Sequence, residues 1–198
     1  NTLDTIRIQA QLNGDEKVAQ LLMRLVSFFR HSVKVDRSMV TLDEELELIE
    51  AYLDLMCVRY PKLKCSVDVA SELYDAQVPN FILQPLVENS LLHGLKNKGY
   101  CGELHVSAEK SGYAEKRGEC LTLLVADSGS GFAEGKKQEI DDMLCHYATW
   151  EPKLTGNSIG VLNVQKRIKL LCGKAYGLCY EENELGGVTA RITLPWRA

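Results

Sequence analysis

The sequence predicts an α+β fold, a two-layer α/β sandwich with an N-terminal helical hairpin in front of it. Three observations carry this expectation. Strand-like runs outnumber helical ones after residue 60, several of those strands are joined as hairpins, and two helical runs flank an early Asn13-Gly14 break. Hairpin-linked strands with fewer helices argue for helices packed on one face of a mixed sheet.

The chain opens on Asn1 already in helical periodicity, at Leu3, Ile6 and Ala10, and reads as a piece of something longer. From residue 15 to 33, Val18, Leu21, Leu22, Leu25, Phe28, Phe29 and Val33 recur at three-to-four spacing, an amphipathic helix. Two helices around a short turn make an antiparallel hairpin. A stripe this rich in Leu and Phe is a candidate self-association surface, unless it folds back on its own domain. His31, near the end of the second helix, reads as a cap or a partner for terminal carbonyls.

Residues 35–39 read as a polar link, and we place the domain boundary there: 1–40 hairpin, 41–198 second domain. Thr41-Leu42-Asp43-Glu44 is a capping box that starts the next helix, whose stripe is Leu42, Leu46, Ile49, Leu53 and Met56. Residues 64–69 alternate as a half-buried strand. After the central stretch 79–94 come strands over 103–108 and 120–126, a polar region with a helical portion over 137–145, and a helix over 161–172 that stops at Gly173. Strands over 175–180 and 188–194 close the chain around an Asn-Glu-Leu-Gly-Gly turn.

Composition bounds the function. With 198 residues, 45% hydrophobic and 25% charged, the chain can hold one substantial domain and a smaller appendage. The net charge of −4 gives no reason to expect nucleic acid as a partner. No apolar run has the length to span a bilayer, and no signal peptide opens the chain. Seven cysteines, an odd number without a Cys-x-x-Cys pair, fit reduced thiols, with Cys57, Cys120 and Cys172 in apolar patterns.

The chemistry concentrates in three stretches. In residues 79–94 the apolar Phe81, Leu83, Leu86, Val87, Leu91 and Leu92 call for burial. Glu88, Asn89 and His93 give the same helix a polar edge, as a metal or phosphate site would need. Asp127-Ser128-Gly129-Ser130-Gly131 follows a strand directly, and Gly156-Asn157-Ser158-Ile159-Gly160 directly precedes a helix. Glycine lets backbone approach a ligand closely, and amides at a helix start attract phosphate. Together the three describe a nucleotide pocket.

Glu-Asn-x-x-x-His-Gly, Asp-x-Gly-x-Gly, a glycine loop before a helix and a final Gly-Gly-Val-Thr resemble the four boxes of the GHKL ATPase superfamily. Leu-Gln-Pro-Leu-Val-Glu-Asn-x-x-x-His-Gly and Gly-Val-Leu-Asn-Val-Gln-Lys-Arg-Ile resemble LytS-type sensor histidine kinases in particular. The resemblance covers residues 79–194 and implies the following expectations. ATP and Mg²⁺ are the cofactors. Asp127 accepts from the adenine amine, and Gly129 and Gly131 let the loop pass beneath the base. Asn89 is the Mg²⁺ ligand. Glu88 either takes the proton of an incoming imidazole or orients its neighbours. His93 contacts phosphate or shapes the pocket. Gly156, Ser158 and Gly160 cover the triphosphate, Asn163 and Arg167 reach the phosphates, and Thr189 of the last box joins the nucleotide site.

The same resemblance implies transfer of the γ-phosphoryl to a histidine for relay to a response regulator. It further implies a homodimer through the N-terminal helices, and the cytoplasmic part of a bacterial sensor that reaches the membrane only through missing N-terminal segments. Asn1-Thr2-Leu3 resembles the tail of the phosphoacceptor motif, which puts the acceptor upstream of this chain and implies that the chain alone does not phosphorylate itself. Two positions depart from the family: Ser158 where a second glycine is common, and Leu92 where a lysine precedes the box histidine. The alternative reading is a non-catalytic module of the same fold that binds a nucleotide or a partner.

Overall fold

The computed structural model describes residues 2–15, Val18, Met23, 37–112, 118–150 and 158–197. Helix α1 is Thr2–Leu12, and it ends at Asn13-Gly14 with Gly14 at φ +78°. Most of the expected second hairpin helix, including His31, lies outside the described residues. Ile6, Ile8 and Leu12 of α1 are exposed, and Ala10 is buried.

Strand β1, Met39–Thr41, leads into helix α2, Leu42–Arg59. The capping box forms as expected: Glu44 N–H donates to Thr41 Oγ1 at 3.2 Å, and Thr41 N–H donates to Glu44 Oε2 at 3.0 Å. Leu42, Leu46, Ile49 and Leu53 are buried, as is Glu45, a carboxylate inside an apolar stripe. Strand β2 is Leu63–Asp68, and the short β3, Gln77–Pro79, pairs antiparallel with β1. Three-residue strands carry too little alternation to be read from sequence, so part of the expected polar link is β1.

Helix α3 is Gln84–Asn89, and it widens into a π-type turn over Ser90–Leu95. Its first donors are satisfied from a distant helix, since Phe81, Ile82 and Leu83 N–H groups all donate to the Glu45 carboxylate. Phe81, at φ +58°, is thus a turn residue before the helix. Leu92 is exposed rather than buried, because it shares the helix face of Glu88.

Strand β4, Gly102–Gly112, and β5, Glu119–Asp127, are antiparallel neighbours. Helix α4, Lys136–Cys145, and helix α5, Ser158–Cys172, precede the hairpin of β6, Gly177–Glu182, and β7, Val188–Pro195. Gly173, at φ +100°, ends α5 as expected. The five-stranded sheet runs β2-β4-β5-β7-β6, with only β2 and β4 parallel, a mixed sheet. Leu104, Val106, Leu121, Leu123, Val125, Ala190 and Ile192 of the strands share one core with Leu46, Ile49, Leu86, Leu91, Leu162 and Ile168 of the helices. The two-layer sandwich is therefore the fold. All seven cysteines are free thiols, and no helix among the described residues is long and apolar enough to cross a membrane.

Candidate functional site

Asp127 ends β5 on the inward face, where Val125 also points, and it is almost wholly buried. Its Oδ1 accepts from Gly129 N–H at 2.8 Å and Val188 N–H at 3.4 Å, and Ser90 gives it a side-chain hydrogen bond. Burial still holds the carboxyl above its ordinary pKa, because these partners and Lys98 offset only part of the desolvation.

Backbone presses on this acid from three directions. A β-carbon added at Gly129 would stand 2.5 Å from the Gly94 backbone, and one at Gly187 would stand 2.1 Å from the Asp127 carbonyl oxygen. One at Gly94 would strike the carboxylate itself. Three glycines from separate segments are needed so that α3, the β5 exit and the β6–β7 turn can meet. Asn183 locks the last of them: its Nδ2 donates to the Asp127 carbonyl at 2.9 Å, and its Oδ1 accepts from Gly187 N–H at 3.1 Å.

A cavity of about 430 Å³ opens beside the acid, within the range of small-molecule sites. Asn89, His93, Asp127 and Gly131 line it, with Ile140 and Met143 of α4 and Tyr180 of β6 among its apolar and aromatic wall. A second cavity of about 150 Å³ adjoins it, lined by Pro85, Glu88, Asn89, Leu92, His93, Gly160 and Val161. Asn89, His93 and Val161 belong to both, so the polar edge of α3 is where the two spaces join. Glu88 Oε1 accepts from Gln84 Nε2 at 2.8 Å. The His93 pKa is lowered, first by burial and then by the charges of Lys136 and Lys96, which favours neutral imidazole.

Of the residues singled out in the sequence, Glu88, Asn89, His93, Asp127, Gly131 and Gly160 come together around these two spaces, and Gly129 packs beneath Asp127. Asn163, Arg167 and Thr189 line neither cavity. Asn163 is exposed, and an Arg167 guanidinium N–H donates to the Asn80 carbonyl. Thr189 Oγ1 accepts from Asn183 Nδ2 at 3.2 Å. Ser158 begins α5, and Gly156 lies outside the described residues. Sequence reasoning passed over Ser90, Tyr180, Met143 and Lys136. Ser90 adjoins the motif and could have been found there, whereas Tyr180 offers only a period-2 position in a strand.

The arrangement can hold a small flat ligand: a buried carboxylate able to accept a hydrogen bond, an apolar and aromatic wall, and an amide with an imidazole at the junction of the two cavities. Comparison with known proteins agrees. Residues 77–198 match the family model of the histidine kinase-, DNA gyrase B- and HSP90-like ATPases, and residues 1–63 match the histidine kinase model. The sensor histidine kinase/phosphatase LytS of Staphylococcus aureus, in strains Mu50 and NCTC 8325 among others, is 31% identical over 198 residues. That alignment takes in 99% of this chain and 32% of LytS, so the chain spans about a third of the length of those curated relatives. The catalytic domain of histidine kinase ThkA superposes with a TM-score of 0.55 at 16% identity, covering 79% of this chain and 93% of that one. Mycobacterial sensor histidine kinase MprB gives 0.50 at 17% identity over 80% and 97%, and both likenesses speak to the fold alone. In sequence the chain is similar to the LytS sensor histidine kinases, and it belongs to the histidine kinase-, DNA gyrase B- and HSP90-like ATPase family.

Proposed function

We propose that the chain binds Mg²⁺·ATP and serves as the catalytic part of a two-component sensor histidine kinase. The γ-phosphoryl goes to a histidine and from there to a response regulator. One observation carries this reading: three sequence-distant segments, around Asn89, Asp127 and Gly160, converge on one pair of joined cavities.

In this reading Asp127 accepts from the exocyclic amine of adenine while Gly129 and Gly131 keep the loop close to the base. The larger cavity holds the nucleoside, and the smaller, at Glu88 and Gly160, receives the phosphate end. Asn89 offers an amide oxygen where the two spaces meet, a suitable ligand for a hard cation whose charge is mostly met by phosphate. Bound there, Mg²⁺ supplies charge neutralisation of the phosphates. Glu88 lies beside it to accept the proton of an approaching imidazole. His93, held neutral, donates to phosphate oxygen. Catalysis is chiefly a matter of position and charge.

The catalytic domain in this proposal runs over residues 41–198, beginning at the Thr41 capping box, and residues 1–40 belong to the dimerisation region. The whole protein is then a dimeric, membrane-anchored bacterial sensor. The experiment is titration with a fluorescent ATP analogue, with and without Mg²⁺, of the wild type, Asn89→Ala and Asp127→Asn. Binding should be saturable in the wild type, lose most of its Mg²⁺ dependence in Asn89→Ala and fall at least about tenfold in Asp127→Asn, as expected for a buried polar group left unpaired. Equal binding by all three contradicts the reading.

A further inference from the structure

Lys98 lines neither cavity. It ends the short 3-10 turn Lys96–Lys98 that follows the π-type turn of α3. Its ammonium donates to two successive carbonyls of the loop after β5, Ser128 O at 2.6 Å and Gly129 O at 2.9 Å. An ammonium offers three donors and no acceptor, so one side chain can gather both oxygens.

The amides of that loop have partners elsewhere. Ser128 N–H donates to the Glu103 carbonyl of β4 at 3.0 Å, and Ser130 N–H donates to the Gly94 carbonyl of the π-type turn at 3.2 Å. Between them Gly129 N–H donates to Asp127 Oδ1 at 2.8 Å. The N–H groups thus tie the loop to β4, to the acid and to the motif helix, and the Ser128 and Gly129 carbonyls meet at one cation.

The backbone that carries Lys98 is held in an uncommon shape. Gly99 is at φ +63° and Tyr100 at φ +57°, a region that non-glycine residues seldom enter. Tyr100 N–H donates to the Leu95 carbonyl at 2.9 Å. Its ring stacks on Tyr60, just past α2, with centroids 3.7 Å apart and planes 15° apart. Such a conformation persists where the surroundings over-determine it. Here they fix the root of the Lys98 side chain beside the loop.

The loop runs straight into the wall of the larger cavity, which Asp127, Ser130 and Gly131 all line. A shift of the two carbonyls would therefore move the Gly129 amide that partners the acid and the wall that follows it.

We propose that Lys98 is a positioning residue for the nucleotide site: by gathering the Ser128 and Gly129 carbonyls it fixes the loop that partners Asp127 and forms the wall at Ser130 and Gly131. The inference rests on the nucleotide reading above and adds to it a residue that touches no ligand. A lysine that met phosphate would act on ATP and not on adenosine. A lysine that holds the wall serves both alike.

The test measures binding of adenosine and of Mg²⁺·ATP to the wild type, Lys98→Met and Lys98→Arg, and adds hydrogen exchange of the three proteins without ligand. Methionine removes the charge and the donors, whereas arginine keeps both. Lys98→Met should bind adenosine and ATP about tenfold more weakly, by the same factor for each, the scale of lost hydrogen bonds to a charged donor. Its amides at 128–130 should exchange faster than those of the wild type. Lys98→Arg should stay within about threefold of the wild type for both ligands. Unchanged adenosine affinity in Lys98→Met overturns the proposal, as does a loss confined to ATP, which makes Lys98 a phosphate contact. Unchanged exchange at 128–130, or a loss that arginine fails to restore, overturns it as well. In each of these cases ATP binding by the wild type leaves the nucleotide reading intact, whereas no binding of either ligand by the wild type overturns both.

Discussion

Gly94 lies so close under Asp127 that a β-carbon on it would stand 2.6 Å from the carboxylate Oδ1. The two residues come from the end of the π-type turn after α3 and the end of β5, and their approach brings the motif helix and the acid to one cavity. Gly94→Ala suits a helix by propensity, so any damage must come from the collision. The expected result is an acid pushed out of place: affinity for an ATP analogue falls about tenfold or more while far-ultraviolet circular dichroism is retained. Unchanged affinity contradicts the cradle.

The raised pKa of Asp127 has a pH signature. Its folded carboxyl binds a proton more readily than the unfolded one, so this group's contribution to stability falls as pH rises from the ordinary carboxylate value, about 4, through the raised one. Asn does not titrate. In urea melts across pH without ligand, the stability of Asp127→Asn relative to the wild type should increase through that interval and level off above it. A difference that shrinks with rising pH contradicts burial as the dominant cause.

Glu45 links α2 to the start of α3 by accepting from three successive backbone N–H groups. Glu45→Gln replaces one acceptor oxygen by an amide donor that faces other donors. We expect a loss of about 2 kcal/mol in chemical denaturation, the cost of buried groups left unpaired. Weaker ATP binding should accompany it, because Asn89 rides on that helix. A silent substitution would show that the helix start is held by packing alone.

Gln165 does similar work for α4. Its Nε2 donates to the Leu144 carbonyl at 3.0 Å, and its Oε1 accepts from Leu178 N–H at 2.9 Å, all in the buried layer. Gln165→Leu leaves both backbone groups unpaired and should cost about 2 kcal/mol. Hydrogen exchange should quicken in residues 136–145, which carry Ile140 and Met143 of the cavity wall. Unaltered exchange there contradicts this anchoring.

Much of this was legible in the sequence for identifiable reasons. The Thr41 box, the 161–172 periodicity with Gly173, and the strand alternations are local signals, and each element formed within a few residues of its expected bounds. Asn89, His93 and Asp127 announced themselves as polar residues in apolar surroundings. Glu45 is likewise a polar residue in apolar surroundings, but its partners lie 36 to 38 residues away and no local pattern records them. The spacing of Asn163 and Arg167 correctly puts them one turn apart, but periodicity does not say which surface a helix turns to a cavity. Arg167 instead holds the turn at Asn80. Tyr180 is invisible for the same reason: only the register of β6 against β7, and of β7 against β5, brings it to the cavity that Asp127 lines.

Photolabelling with 8-azido-ATP followed by peptide mapping tests most directly whether the separated segments form one purine site. The account predicts label on the cavity wall, in peptides carrying residues 127–143 or 178–190, suppressed by excess ATP and reduced in Asp127→Asn at the same probe concentration. ATP-protected label confined to peptides outside that wall would contradict it.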